Sequence, residues 1–177
     1  MSGLKGRERL QPSLLDRLTD NAPSQKRENF DQQTLSMAQL RQAVLRDLSA
    51  LLNTTNLTTL DKETLEEGDS LATTPLAAKS TINYGIPGFA GMIESSSRIV
   101  TLERELADAI RAYEPRIRPE SLRVRARGSL ASDANPALVF EIEGELWAQP
   151  VPVQMFLETA IEVETRLAVV TDMKGPR

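Results

Sequence analysis

The chain contains neither cysteine nor histidine, and each absence removes a body of chemistry. Without cysteine there is no disulfide framework, no thiolate zinc site and no thiol nucleophile. Without histidine, Ser-His-Asp catalysis, the commonest general base and the commonest metal ligand disappear together. Aromatic residues are only 4% of the chain, which leaves little to stack on a sugar ring. Nowhere do about 18 consecutive apolar residues occur, the minimum for a spanning helix. The basic start, Met1 to Arg9, is not followed by the apolar run of a signal peptide. The chain therefore reads as soluble and cytoplasmic, with no direct membrane insertion. Its 25 acidic and 21 basic residues give a net charge of -4, which supplies no broad positive surface for nucleic acid. Only carboxylates, lysines, tyrosines and hydroxyls remain for catalysis, so any enzyme hypothesis rests on Asp and Glu.

What is present suits one domain with a real core, since 177 residues lie near the usual domain size. The first periodic element runs from Pro12 to Leu18, with Leu14, Leu15 and Leu18 on one face and Asp16 and Arg17 turned outward. A helix this short needs a surface to lie against. The polar, turn-rich stretch from Thr19 to Thr34 reads as a linker, so residues 1–35 form a tethered segment. That segment is either a frayed terminus or an amphipathic hook for a partner's groove.

A helix follows from about Ser36 to Leu52. Ser36 and Gln39 have capping-box spacing, and Met37, Leu40, Val44, Leu48 and Leu51 make the stripe. The Thr-rich, acidic stretch from Thr54 to Thr74 reads as a solvated excursion with at most one helical turn. Thr74-Pro75 starts a short helix that stops near Gly85, and Asn83 to Gly91 read as a packed, glycine-rich loop. The clearest helix is Ser96 to Tyr113, striped by Ile99, Leu102, Leu106, Ala109, Ile110 and Tyr113. Glu114-Pro115 stops it, because proline disfavours helical geometry in the residue before it.

The period then changes from helical to alternating. Leu122, Val124 and Ala126 alternate with Arg123, Arg125 and Arg127. After a turn from Gly128 to Pro136, Leu138, Phe140 and Ile142 alternate with Val139, Glu141 and Glu143. The two strands pair as an antiparallel hairpin whose arginines face glutamates on the outer side. Neutralised this way, the arginine run reads as a solvated strand face in preference to an anion or RNA site. A third strand is expected over Val153 to Val163 and a short edge over Leu167 to Val170. Trp147, Tyr84, Phe89 and Phe140 sit in apolar contexts and are expected in the core. The fold class is α+β: a small, three- to four-stranded antiparallel sheet packed on one face by two amphipathic helices, plus the short N-terminal helix on its linker. The domain spans 36–170 and the tail 171–177. Such a sheet leaves at least one edge to be guarded or to accept another strand.

Several strings now coincide in order: Pro12 to Leu18; Arg46 to Thr54; Ile82-Asn83-Tyr84-Gly85-Ile86-Pro87; Tyr113-Glu114-Pro115-Arg116-Ile117; and Phe140 to Trp147. Together, over about residues 11–163, they resemble the TssE family of type VI secretion baseplate subunits, relatives of phage baseplate wedge proteins that carry a lysozyme-like name. The resemblance implies a structural wedge component that binds TssF and TssG and helps initiate the TssB–TssC sheath, with TssK and the VgrG spike hub as further neighbours. It implies a cytoplasmic baseplate docked at the inner membrane, and no cofactor or metal. The family's Glu-Pro-Arg motif falls on Glu114, Pro115 and Arg116. Proline gives a sharp exit from the helix there, and the flanking pair offers directional charge-assisted bonds. The plain alternative is a helix stop with a local salt bridge. The partner-binding residues are thus expected to be Glu114, Pro115 and Arg116, with Leu14, Leu15 and Leu18 of the hook. Two departures stand out: Gly88 where an acidic residue often follows the Tyr-Gly-Ile-Pro loop, and Thr165-Arg166 in place of a Thr-Gly turn.

The lysozyme-like name raises an alternative, a peptidoglycan glycosidase with two carboxylates held about 5 to 9.5 Å apart. Glu94, Glu114 and Glu120 are its least repetitive candidates, but their presence in the sequence does not put them in a cleft. A stand-alone ligand-binding module has no phosphate loop or metal-ligand cluster to support it. The chain is read as a non-enzyme.

Overall fold

The computed structural model describes residues 13–18, 24, 36–59, 74–88, 96–130, 137–147, 152–162, 165 and 167–173. Helices α1 (Leu14–Leu18), α2 (Met37–Leu52), α3 (Pro75–Ala78) and α4 (Ser96–Tyr113) precede strands β1 (Arg123–Leu130), β2 (Ala137–Leu146), β3 (Val153–Glu162) and β4 (Ala168–Met173). A 3-10 turn at Thr81–Asn83 follows α3, and residues 57–59 make a single helical turn after α2.

The capping box at the start of α2 forms as expected. Gln39 N–H donates to the Ser36 hydroxyl at 3.2 Å, and Ser36 N–H donates to the Gln39 side chain at 2.8 Å. Leu40, Val44, Leu48 and Leu51 of α2 are buried, as are Leu102, Leu106, Ala109 and Ile110 of α4. Both stripes join one core with Leu138, Phe140, Ile142 and Leu146 of β2 and Met155, Leu157 and Ile161 of β3. The sheet is an antiparallel meander in the order β1-β2-β3-β4. On the solvent face Arg123 lies opposite Glu143 and Arg125 opposite Glu141, which is the pairing the alternation demands. Arg127, beside the β1 bulge between Ala126 and Gly128, reaches Glu141 at 2.9 Å. The expected architecture is therefore the observed one.

Several expectations change. The helix begun at Thr74-Pro75 stops at Ala78, short of Gly85, and a separate 3-10 turn follows; β1 runs through Gly128 to Leu130, where the turn was expected to begin at Gly128. β4 runs to Met173, past the Val170 limit, so the segment assigned to a tail begins inside a strand. Trp147 is 63% exposed, not core, because buried Leu146 ends the inward alternation of β2 and the next side chain falls on the other side. Tyr84 is half-buried, while Phe140 is fully buried as expected. Both departures from the family pattern have a physical counterpart. Gly88 is buried, and a Cβ there would lie 2.8 Å from Thr59 Cγ2, so an acidic side chain needs that threonine to move. Thr165 staples the last hairpin turn by donating to Glu162 at 2.5 Å and accepting from Leu167 N–H at 3.3 Å.

Several expectations lie outside the described residues: the linker over 19–34 apart from residue 24, the acidic stretch from residue 60 to 73, Phe89 to Gly91, Glu94, the turn over 131–136, Val163 and Arg166.

Candidate partner-binding corner

α4 ends with Glu114 N–H still donating to Ile110 O at 2.8 Å, so the Glu114 side chain leaves from the last helical turn. It points inward and is only 2% exposed, while Pro115 stands in solvent. The chain then folds back onto the exit of β2. Ile117 bridges Leu146, Arg118 N–H donates to Glu145 O at 2.9 Å, and Trp147 N–H donates to Arg116 O at 2.7 Å. These bonds staple the helix-to-sheet corner to the end of β2 and fix the direction of Arg116.

Arg116 grips Glu114 through both carboxylate oxygens, Nε to Oε1 at 2.6 Å and Nη2 to Oε2 at 2.5 Å. The Arg116 backbone N–H adds a third bond, to Oε1 at 3.1 Å. Nη2 also reaches Asp47 Oδ2 of α2 at 2.5 Å. Burial works against the Arg116 charge, but its bonds to Glu114 and Asp47 outweigh that and hold its pKa well above the usual arginine value.

The same line of charge continues outward along α2. Arg46 Nε donates to Asp47 at 2.8 Å and Arg46 Nη1 to Asp16 of α1 at 2.6 Å. Asp16 also accepts from the Ser13 hydroxyl at 2.6 Å, and Asp16 N–H returns a bond to that hydroxyl, so Asp16 both caps α1 and anchors it. Burial raises the Asp16 pKa, but the bonds from Ser13 and Arg46 prevail and hold it below the ordinary carboxylate range. Asp16, Arg46, Asp47, Arg116 and Glu114 thus form a chain of alternating sign from the short helix to the buried corner. Contrary to the expectation that Asp16 would turn outward, its carboxylate turns to α2, and α1 presents Leu14, Leu15 and Leu18 to solvent at 70%, 56% and 74% exposure.

Two tyrosines stand beside this corner, their rings edge to face at 5.2 Å between centroids. Tyr113 donates to Ser80 O at 2.9 Å. Burial and the nearby charges of Asp47 and Glu114 push the Tyr84 phenol up. Gly85, at φ 127°, turns the chain so that Ile86 bonds the end of α2, donating to Thr54 O at 2.8 Å.

Of the expected site residues, Glu114 and Arg116 meet directly, Pro115 forms the exposed apex, and the leucines lie on the helix that the ionic chain ties to the same corner. The sequence reading missed Asp47, Arg46 and Asp16. Their only trace was an Arg-Asp pair beside the buried Leu48, and nothing local announces a partner 69 positions away. Among the carboxylates considered for glycoside hydrolysis, Glu114 is closed off by Arg116 and Glu120 lies on an exposed turn. No cluster of metal-ligating side chains occurs among the described residues.

Searches of curated proteins and of solved structures each returned no match. The family model for baseplate wedge protein gp25 matches residues 38–151, a span that includes Asp47, Glu114, Pro115 and Arg116. Since that span exceeds half of the 177 residues, the chain belongs to the baseplate wedge protein gp25 family.

Proposed function

We propose that this wedge-family chain works in a type VI secretion baseplate, where it joins TssF and TssG and helps start the TssB–TssC sheath, with TssK and the VgrG hub as further neighbours. The coarse role, a structural component of a phage-like baseplate, comes with the family. The observation that carries the finer reading is the ionic corner at Glu114-Pro115-Arg116, linked through Asp47 and Arg46 to a helix with an exposed leucine face. Leu14, Leu15 and Leu18 suit an apolar groove on a partner, and Pro115 gives the corner a firm apex. The working place is the cytoplasmic baseplate at the inner membrane. No helix among the described residues is long and apolar enough to cross a membrane.

Sheath initiation by strand addition needs an edge, and the two edges differ. On β1, the bulge interrupts the ladder and Ala126 N–H already donates to Glu103 of α4 at 2.6 Å. On β4, Asn53 occupies both outward groups of Ala168, each at 2.9 Å. Antiparallel alternation then turns the backbone of Val170 and Asp172 outward along an unbroken register, which favours β4 as the accepting edge. Catalysis has no comparable support, because the buried carboxylate at the corner is already bound on both oxygens.

The test is co-purification of the tagged chain with candidate TssF and TssG, with peptidoglycan hydrolysis assayed on the same preparation. A stable complex without hydrolysis is expected. Hydrolysis without a complex would overturn the assembly reading.

A further inference from the structure

The chain's single tryptophan is held rigidly and left in water. Trp147 follows directly on β2, and Leu146 before it is fully buried. Its own N–H is committed to Arg116 O at 2.7 Å. The backbone leading from β2 into the indole is therefore fixed, and the ring cannot turn into the core without breaking the corner. Nevertheless the residue is 63% exposed. An aromatic side chain can bury about 150–250 Å² on contact, so leaving it in solvent forgoes one of the largest apolar gains available to the fold.

Its surroundings match the anatomy of an interaction hot spot, an anchor with a polar rim. Glu145, on the same side of β2, is engaged by Gln154 at 2.6 Å and lies 3.5 Å from Arg118. Pro115, exposed, is adjacent along the chain to Arg116, whose carbonyl holds Trp147. Through the bond to Arg116, Trp147 is tied to the residue beside the proline apex, at the corner assigned to partner binding above.

We infer that Trp147 is the apolar anchor of that corner, and that the wedge subunit docking there carries an apolar pocket that takes the indole. The inference rests on the proposed function. Beneath it, Glu114 and Arg116 act as positioning residues: they make no contact with the partner pocket and hold in place the backbone from which the indole projects.

Because the chain has one tryptophan, its intrinsic fluorescence reports on this site alone. The free full-length chain should show the red-shifted, acrylamide-accessible emission of a hydrated indole. Titration with the TssF–TssG pair, itself carrying tryptophan replaced by phenylalanine where needed, should shift the emission to the blue and protect it from quenching. Trp147→Ala should weaken binding about thirtyfold, the scale of a hot-spot truncation, and Trp147→Phe should recover most of it. Both variants should keep the parent's thermal midpoint. If the complex forms but the indole stays fully quenchable and Trp147→Ala binds normally, the inference is wrong and the wedge reading survives. If no complex forms with the parent chain, both fail. A blue shift on concentrating the chain alone would give the pocket to a second copy and overturn the partner assignment.

Discussion

The corner around Glu114 and the short helix α1 lie at opposite ends of one chain of charges, and they hide opposite things. At the corner the ions are inside: Glu114 is buried, and its partner Arg116 is shared with Asp47. At α1 the Asp16 carboxylate faces the protein and the leucines face water, since Asp16 is spent on Arg46 and Ser13. A buried pair adds little net stability, yet removing one member leaves an uncompensated charge, so such pairs fix geometry more than they stabilise it. A five-residue helix has no cooperative stability of its own, and one carboxylate that both caps and anchors it can hold its apolar face open. The corner sets shape, and the helix offers surface.

The largest effect should come from Glu114→Ala, expected to cost about 3 kcal/mol, the low end for breaking a buried pair because Arg116 retains some water access. Urea unfolding should show the midpoint falling at constant m-value. Glu114→Gln, which keeps the shape and one acceptor oxygen, should lose distinctly less. A loss under about 0.5 kcal/mol, as for an ordinary surface change, would mean that the corner is no more buried than the hook. Stability should thus suffer together with assembly.

Next is Gly85→Ala. The new Cβ would sit 2.5 Å from Thr54 O at a φ of 127°, and the strain should cost about 1–3 kcal/mol in the same unfolding assay. Asp47→Ala, at the midpoint of the charge chain and partly exposed, should cost about 1 kcal/mol. A double-mutant cycle with Arg46→Ala should show coupling, and strict additivity would break the chain into independent pairs.

Asp16→Ala should leave the global midpoint within about 0.5 kcal/mol while amide exchange in α1 accelerates. The pH dependence follows from the lowered pKa. A carboxylate depressed in the folded state contributes stability that is complete above its unfolded value of about 3.9 and is lost as pH falls through the native value. Acidification should therefore release α1, seen as faster proteolysis near residue 16. Smallest on stability should be Leu14→Ser combined with Leu18→Ser, within about 0.5 kcal/mol, with capture of TssF and TssG reduced in pull-down. If the double change unfolds the chain, the leucines are packed and the contrast between hook and corner collapses.

Much of this was legible from residue order. The stripes of α2 and α4 and the alternation of β1 and β2 are one-dimensional patterns, because a buried face repeats with the period of its own element. The Arg-to-Glu register followed from them, since an antiparallel hairpin with a defined inward face has one pairing. Glu114 and Arg116 were readable as a pair because only Pro115 separates them. Trp147 was misjudged because its neighbours are apolar, while its exposure depends on where β2 ends.

By itself the sequence determined the α+β class, the helices' buried stripes and the absence of cysteine and histidine chemistry, because composition and periodicity are local properties. The tertiary structure alone decided that Asp47 would reach Arg116, that Asp16 would anchor α1 on Arg46, that Asn53 would occupy one edge of the sheet, and that the one tryptophan would face water. Each depends on where separate elements come to lie against one another. Charge pairing over such separations carries no period in the chain, since Coulomb attraction depends on distance in space and not along the sequence.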